Sequence, residues 1–341
     1  MLQAVADLYR AAFTGLVLAT VARRGTAPAA ELVFTVFRRQ QQERFLPGLR
    51  KLGLDGLPDA VAAARYHYLS NRIGGVSVEY MEEGPRKAWI RYRPPRWLWW
   101  GTAVCGIPGE VSRAMLRGWH AHNGISLGNP RLGFVCTQQV ADGQPSLEGY
   151  YLEHDRPLEP EERLRFARGE LGPRFDPAQA PWVPSLEWPE QRLRKAHRNY
   201  AMEYLRTALP AAVDLFGPME GGALAALALR QVGMQFHHEL AEAARISSSE
   251  PAAALDLLRA VFEAQGDVVE MRGGDLVQHG WALMRASAPV APAVFHAWKA
   301  LFEGIVAAHD PRLGLSVRRG AESNRDTTVW TLHEGIEPGQ A

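Results

Sequence analysis

The sequence predicts an α+β fold made of two tandem, pseudo-repeated domains, each an antiparallel sheet packed against helices. Three observations carry this expectation. The tetrapeptide Pro-Arg-Leu-Gly occurs twice, in "NPRLGFVC" (Asn129–Cys136) and in "DPRLGLSV" (Asp310–Val317). A constant offset of 191 (200 − 9) relates Tyr9 to Tyr200, and the same offset relates Arg39, Gln40, Phe45, Leu49, Ala62, Ala63, Gly75, Val78 and Glu79 to identical residues in the later half. The order of hydrophobic periods, helical and then alternating, also recurs.

Each half opens with an amphipathic helix, predicted over Leu8–Arg23 and Asn199–Phe216. A second is predicted over Ala30–Leu52 and Gly221–Arg245, and a third over Leu57–Asn71 and Glu250–Gln265, ending near the paired glycines. "VSVEYM" and "DVVEMR" then alternate with period two, the mark of a half-buried strand. The tetrapeptides are offset by 181 (311 − 130), so the first half carries ten extra residues (191 − 181) around "RPPRWLWWGTAVCG", Arg93–Gly106. A further helix follows in both halves, and Pro-Arg-Leu-Gly makes the turn from it into a strand. "SLEGYYLEH" and "DTTVWTLHE" read as the closing strands. The expected organisation is a first domain over 1–155, a proline-rich connector over 156–191 and a second domain over 192–335.

At 341 residues the chain is long enough for two domains of ~150 residues each. Its 47% hydrophobic and 22% charged residues fit a core-forming protein rather than a disordered one. A net charge of +1 gives no electrostatic case for nucleic acid or an anionic membrane as partner. Two cysteines, Cys105 and Cys136, build no disulfide framework and suit a reducing, cytoplasmic setting. No segment reads as approaching the ~18 apolar residues of a membrane span. The apolar run Phe13–Ala22 precedes Arg23 and Arg24 and follows Asp7, the reverse of a signal peptide's charge order, so it reads as a structural helix. Walker loop, GxGxxG fingerprint, nucleophile elbow and CxxC pair are all missing from the sequence.

In "GFVCTQQVADGQPSLEGYYLEHD" (Gly133–Asp155), Cys136 precedes a hairpin turn at Asp142-Gly143. This stretch is similar to the closing hairpin of the 4-vinyl-reductase-type small-molecule-binding domain and the related L-2-amino-thiazoline-4-carboxylic acid hydrolase-like group. The layout of each half resembles that pattern too: helices, an antiparallel pair, a long helix and a hairpin. A second cysteine often follows the turn in that group; here Leu147–Tyr151 supplies none, and the later half has no cysteine. The resemblance implies a small-molecule ligand, and the missing cysteines argue against a cysteine-bound metal.

Polar residues present in only one half are freest to serve a site. "WHAHNG" offers His120, His122 and Asn123; "FHHEL" offers His237, His238 and Glu239 as an acid–base group. Cys136 is a candidate nucleophile if a histidine lies close to it, and otherwise a small buried hydrophobe, as is Cys105. Trp97 and Trp99 alternate along the insertion and could line one wall of a cavity. "KAHRNYAMEY" adds Arg198 and Tyr200 as ligand contacts, against the plainer reading of surface charge and aromatic core. No metal and no cofactor is expected, and a homodimer is a compatible assembly. Two functions follow: a hydrolase- or lyase-like enzyme acting on a cyclic or aromatic metabolite by histidine acid–base chemistry, or a non-catalytic small-molecule sensor or carrier.

Overall fold

A computed structural model describes residues 1–94, 101–285, 287–322 and 325–334. Helices α1 (Leu2–Arg24) and α2 (Thr26–Lys51) are separated by Gly25, whose φ of 89° only glycine adopts without strain. After α3 (Asp59–Ile73) the chain reverses at Gly75, and the Val76 amide donates to the Asn71 carbonyl at 2.9 Å. In the later half, α6 (Glu190–Phe216), α7 (Glu220–Ala244) and α8 (Pro251–Gln265) follow the same order, and the Asp267 amide donates to the Phe262 carbonyl at 2.9 Å past Gly266. Both ends use a left-handed glycine to close a six-residue hydrogen-bonded loop over the last turn.

Helix α1 is long and apolar enough, by length and composition, to cross a membrane, which corrects the expectation that no segment reaches that size. Val5, Leu8, Tyr9, Phe13, Leu16 and Val17 along it are fully buried, as in the core helix of a folded domain.

The strands form two sheets. β1 (Val78–Gly84), β2 (Lys87–Tyr92), β3 (Leu132–Gln138), β4 (Leu147–Glu153) and β5 (Leu164–Phe166) are ordered β1-β2-β4-β3-β5. β6 (Val268–Arg272), β7 (Asp275–His279), β8 (Leu313–Glu322) and β9 (Arg325–Glu334) are ordered β6-β7-β9-β8. The architecture is therefore α+β with two antiparallel-rich sheets packed on helices. The first sheet is not purely antiparallel as expected: β5, from the connector, runs parallel to β3 and satisfies its outer edge, pairing Val135 with Arg165. The connector is further held where the Gly172 amide donates to the buried Glu148 carboxylate at 3.0 Å and Arg91 donates to the Pro173 carbonyl at 3.2 Å.

Both Pro-Arg-Leu-Gly segments do make the turn into a strand, and by the same bond. The Arg131 amide donates to Asn129 Oδ1 at 3.0 Å, and the Arg312 amide donates to Asp310 Oδ1 at 2.9 Å. Leu132 and Leu313 then open β3 and β8.

The chain divides into two compact units, Thr20–Ala196 and Met1–Ala19 with His197–Ala341. The expected boundaries placed residues 1–155 together; residues 1–19 instead group with His197–Ala341. In the first unit α2 packs on α4 (Gly109–Gly118) and α3 packs on β1, β2 and β4. In the second, α7 packs on α9 (Pro292–His309), and α9 on β8. Glycine lets α7 and α9 touch backbone to backbone. A Cβ at Gly233 would lie 2.0 Å from the Leu301 carbonyl oxygen, and one at Gly304 would lie 2.1 Å from that of Arg230. No rotamer relieves a clash with backbone, so Gly304→Ala must separate the helices. We expect Gly304→Ala and Gly233→Ala each to destabilise this unit by about 1–3 kcal/mol in urea unfolding. Ala at Gly273, where nothing lies within 4 Å, carries only its positive-φ cost. Unchanged midpoints for both helix variants would contradict this packing.

Candidate functional site

Helix α3 carries His67 on its buried face, and α4 stops at Gly118. Gly118 permits this approach: a Cβ there would meet the Phe34 carbonyl oxygen of α2 at 2.6 Å. Beyond it the chain makes a single tight turn, His120–His122, and a last short turn, α5 (Asn123–Ser126). Gly124 brings α5 onto the start of β3, because a Cβ there would lie 2.4 Å from the Leu132 carbonyl oxygen. The later half has one unbroken helix at this place, α9. The interruption places His120 and Asn123 among buried residues and leaves His122 partly exposed, with Nδ1 2.9 Å from the Arg117 carbonyl oxygen. His122 thus sits just past the end of α4 and contacts a carbonyl of its last turn.

At the centre of the unit Thr20–Ala196 lies a buried polar array. The Asn123 amide nitrogen lies 3.0 Å from His67 Nε2 and donates to the Tyr151 hydroxyl at 2.7 Å. His67 Nδ1 lies 3.2 Å from the Tyr92 hydroxyl. Gln41 of α2 donates from Nε2 to Asn123 Oδ1 at 3.3 Å and to Ser126 Oγ at 2.9 Å, and Arg38 donates to Gln41 Oε1. The rings stack: His67 and His120 centroids are 4.3 Å apart with planes 13° from parallel, and His120 lies 4.5 Å from Phe134 of β3. Tyr151 is within 18° of parallel to both histidines, at 5.9 and 6.0 Å.

The directions of these bonds follow from one fact. A guanidinium only donates, so the Gln41 atom facing Arg38 is the carbonyl oxygen. Gln41 Nε2 must then face Asn123, which makes the facing Asn123 atom Oδ1. Its NH₂ group therefore points at His67 and Tyr151. An amide NH₂ cannot accept, so His67 Nε2 is the acceptor and the imidazole proton sits on Nδ1, toward Tyr92. Burial lowers the His67 pKa from 6.5 to about 3. Protonating Nε2 would also set two donors head to head, so geometry and desolvation act in the same direction. Burial likewise pushes the Tyr151 hydroxyl well above its ordinary value, so both rings stay neutral.

The remaining candidates fall elsewhere. Cys136 on β3 is buried as expected, and its thiol donates to the Gln138 carbonyl at 3.4 Å, the protonated state rather than the thiolate. Cys105 is exposed, contrary to its reading as a small buried hydrophobe: it lies in the turn Gly101–Gly106 after the tryptophan-rich stretch. Trp97 and Trp99 lie outside the described residues. His237, His238 and Glu239 belong to the other unit, where His238 and Glu239 are exposed on α7 and His237 is half-buried against His309. Arg198, read as exposed, is buried and donates to the Ala264 carbonyl at the end of α8, a structural cap. Tyr200 is half-buried and accepts from Tyr204 at 3.4 Å. Among the described residues no group of three or more His, Cys, Asp or Glu side chains could hold a metal ion.

His67, Tyr92, Tyr151 and Gln41 were missed by sequence reasoning, although a signal was present. At the offsets that match the halves, Gln41 falls on Val232 (41 + 191), His67 on Leu258 (67 + 191), Tyr151 on Leu332 (151 + 181) and Asn123 on Gly304 (123 + 181). Each of these four answers to an apolar residue.

The sign of the pH effect follows from the His67 value. The unfolded chain binds a proton near pH 6.5 and the folded one only near pH 3, so the folded state's advantage is complete above about 6.5 and erodes as pH falls toward 3. We expect wild type to lose on the order of 1 kcal/mol more per pH unit than His67→Leu between pH 6 and pH 4, measured by urea unfolding. Parallel pH profiles would contradict a neutral buried imidazole. Comparison with protein-family models, with curated proteins and with solved structures finds no match to this chain.

Proposed function

We propose that this chain is a small-molecule-binding protein, a sensor or carrier, whose ligand is held in the unit Thr20–Ala196 beside His67, His120, Asn123 and Tyr151. One observation carries the reading. The indole N–H of Trp119, buried between α4 and the His120 turn, has no acceptor among the described residues. Its ring stacks within 20° of Tyr66 and lies 6.0 Å from His67. A buried donor without a partner costs about 1–3 kcal/mol, which a ligand carbonyl or ring nitrogen placed there would recover. The flat, neutral surroundings suit a cyclic or heteroaromatic molecule of no net charge. The resemblance to the 4-vinyl-reductase-type domain likewise implies a small-molecule ligand.

A hydrolase- or lyase-like enzyme is the second reading, favoured by a different observation. Burial is the cause of the low His67 pKa, so a ligand that opens the array to water would return the imidazole toward 6.5, the range of a working base. In the closed array both its nitrogens are engaged, and a pKa near 3 makes it a poor base at neutral pH, which is why binding leads.

We further propose that the two halves descend from one duplicated unit. The shared loop closures at Gly75 and Gly266, the shared turns at Asn129 and Asp310, and the matching strand orders β1-β2-β4-β3 and β6-β7-β9-β8 support it. The first copy kept the polar array, and the second carries Val232, Leu258 and Leu332 at the places of Gln41, His67 and Tyr151.

Native mass spectrometry of the full chain, purified without added ligand, tests the binding reading. The expected result is a co-purifying small molecule, with Trp119→Phe weakening its retention about tenfold. A chain that carries nothing, and is not stabilised thermally by any member of a neutral heterocycle library, would contradict it. Turnover of the bound molecule, abolished in His67→Gln, would move the conclusion to the enzyme.

A further inference from the structure

The sequence "FHHEL" places His237 on α7, and His309 is the last residue of α9. These helices cross closely, and the two imidazoles meet at the end of α9: His237 Nε2 lies 3.2 Å from His309 Nδ1, with ring planes 64° apart. The other nitrogen of His309, Nε2, lies 3.1 Å from the Glu250 carbonyl oxygen at the start of α8.

The carbonyl settles the tautomers. It can only accept, so His309 Nε2 carries the proton and Nδ1 presents a lone pair toward His237. In the neutral pair His237 Nε2–H donates into that lone pair. This is also the arrangement of a metal-binding histidine, in which the distal N–H is held by a backbone carbonyl that orients the ring and raises its basicity.

We propose that His237 and His309 form a bidentate surface site for a divalent transition-metal ion, which replaces the proton shared between them. With metal–nitrogen bonds of about 2.1 Å, two nitrogens 3.2 Å apart subtend an angle of about 100°, between the tetrahedral and the square-planar or octahedral cis values. The helices need not move; each ring turns modestly so that its lone pair points off the nitrogen–nitrogen line. When the ion binds, the His237 proton transfers from Nε2 to Nδ1 through solvent, so the neutral pair releases no net proton. Water completes the shell. The negative end of the α9 dipole lies at His309 and favours the cation. His238, the exposed neighbour on α7, is not a ligand and serves as the control. By the Irving–Williams order copper(II) binds most tightly, ahead of nickel and zinc.

The test is titration of the full chain with copper(II) and with zinc(II), with electron paramagnetic resonance on the copper form. One equivalent of copper should bind with hyperfine structure from two imidazole nitrogens. His237→Gln and His309→Gln should each weaken binding at least about tenfold, while His238→Gln leaves it unchanged. Circular dichroism confirms that each variant is folded. Copper binding that survives both substitutions, or that shows a single imidazole, would overturn the proposal, as would failure to bind one equivalent.

Discussion

Everything at the centre of the first unit turns on a group that cannot accept a hydrogen bond. Arg38 fixes which end of Gln41 faces it, Gln41 fixes Asn123, and Asn123 fixes the position of the proton on His67. None of these side chains has freedom to choose. In a buried array a single reversed amide would set donor against donor, and each such mismatch costs more than any one of the bonds contributes. The array therefore acts as one unit: neutral, directional, and tied through α2, α3 and the α4–α5 turn to the hydroxyls that β2 and β4 supply.

The backbone makes that array affordable only because α4 stops early. In the other unit α9 runs unbroken for 18 residues, and the space above its sheet is filled by Phe262, Trp298, Phe302 and Trp330 in mutual ring contact. The aromatic core needs few polar partners: Trp298 donates to Tyr9 and Trp330 to Gln278. The two interiors thus show alternative ways to fill similar strand and helix frames. One takes close packing, and the other takes hydrogen bonds at the cost of exact partner matching.

The frame was legible in the sequence. Paired glycines at 75 and 266, the repeated Pro-Arg-Leu-Gly and the alternating strands located the helices, turns and sheets, because these signals are local: a left-handed residue, an Asx turn, a period of two. The parallel strand β5 was not legible. Three residues inside a proline-rich connector form a strand only because the edge of β3 awaits them. The site was half legible. His120 and Asn123 were picked out as polar residues unmatched in the later half, but His67 was passed over inside "ARYHYLSN", where it looks like one polar residue on a helix. Only the fold brings it within reach of Asn123. The same filter, applied along α2, α3 and β4 as well as to the obvious histidine clusters, would have marked Gln41, His67 and Tyr151. The exposed pair His238 and Glu239 drew attention for its composition, and composition says nothing of burial.

The decisive observable is the position of one proton. Long-range nitrogen–proton correlation spectra of the chain labelled at histidine nitrogen report both the tautomer and the titration of His67. We expect a neutral His67 protonated at Nδ1 from pH 8 down to pH 5, with the tautomer lost when Gln41→Leu frees the Asn123 amide to turn. A His67 that titrates near 6.5, or that carries its proton on Nε2, would contradict it.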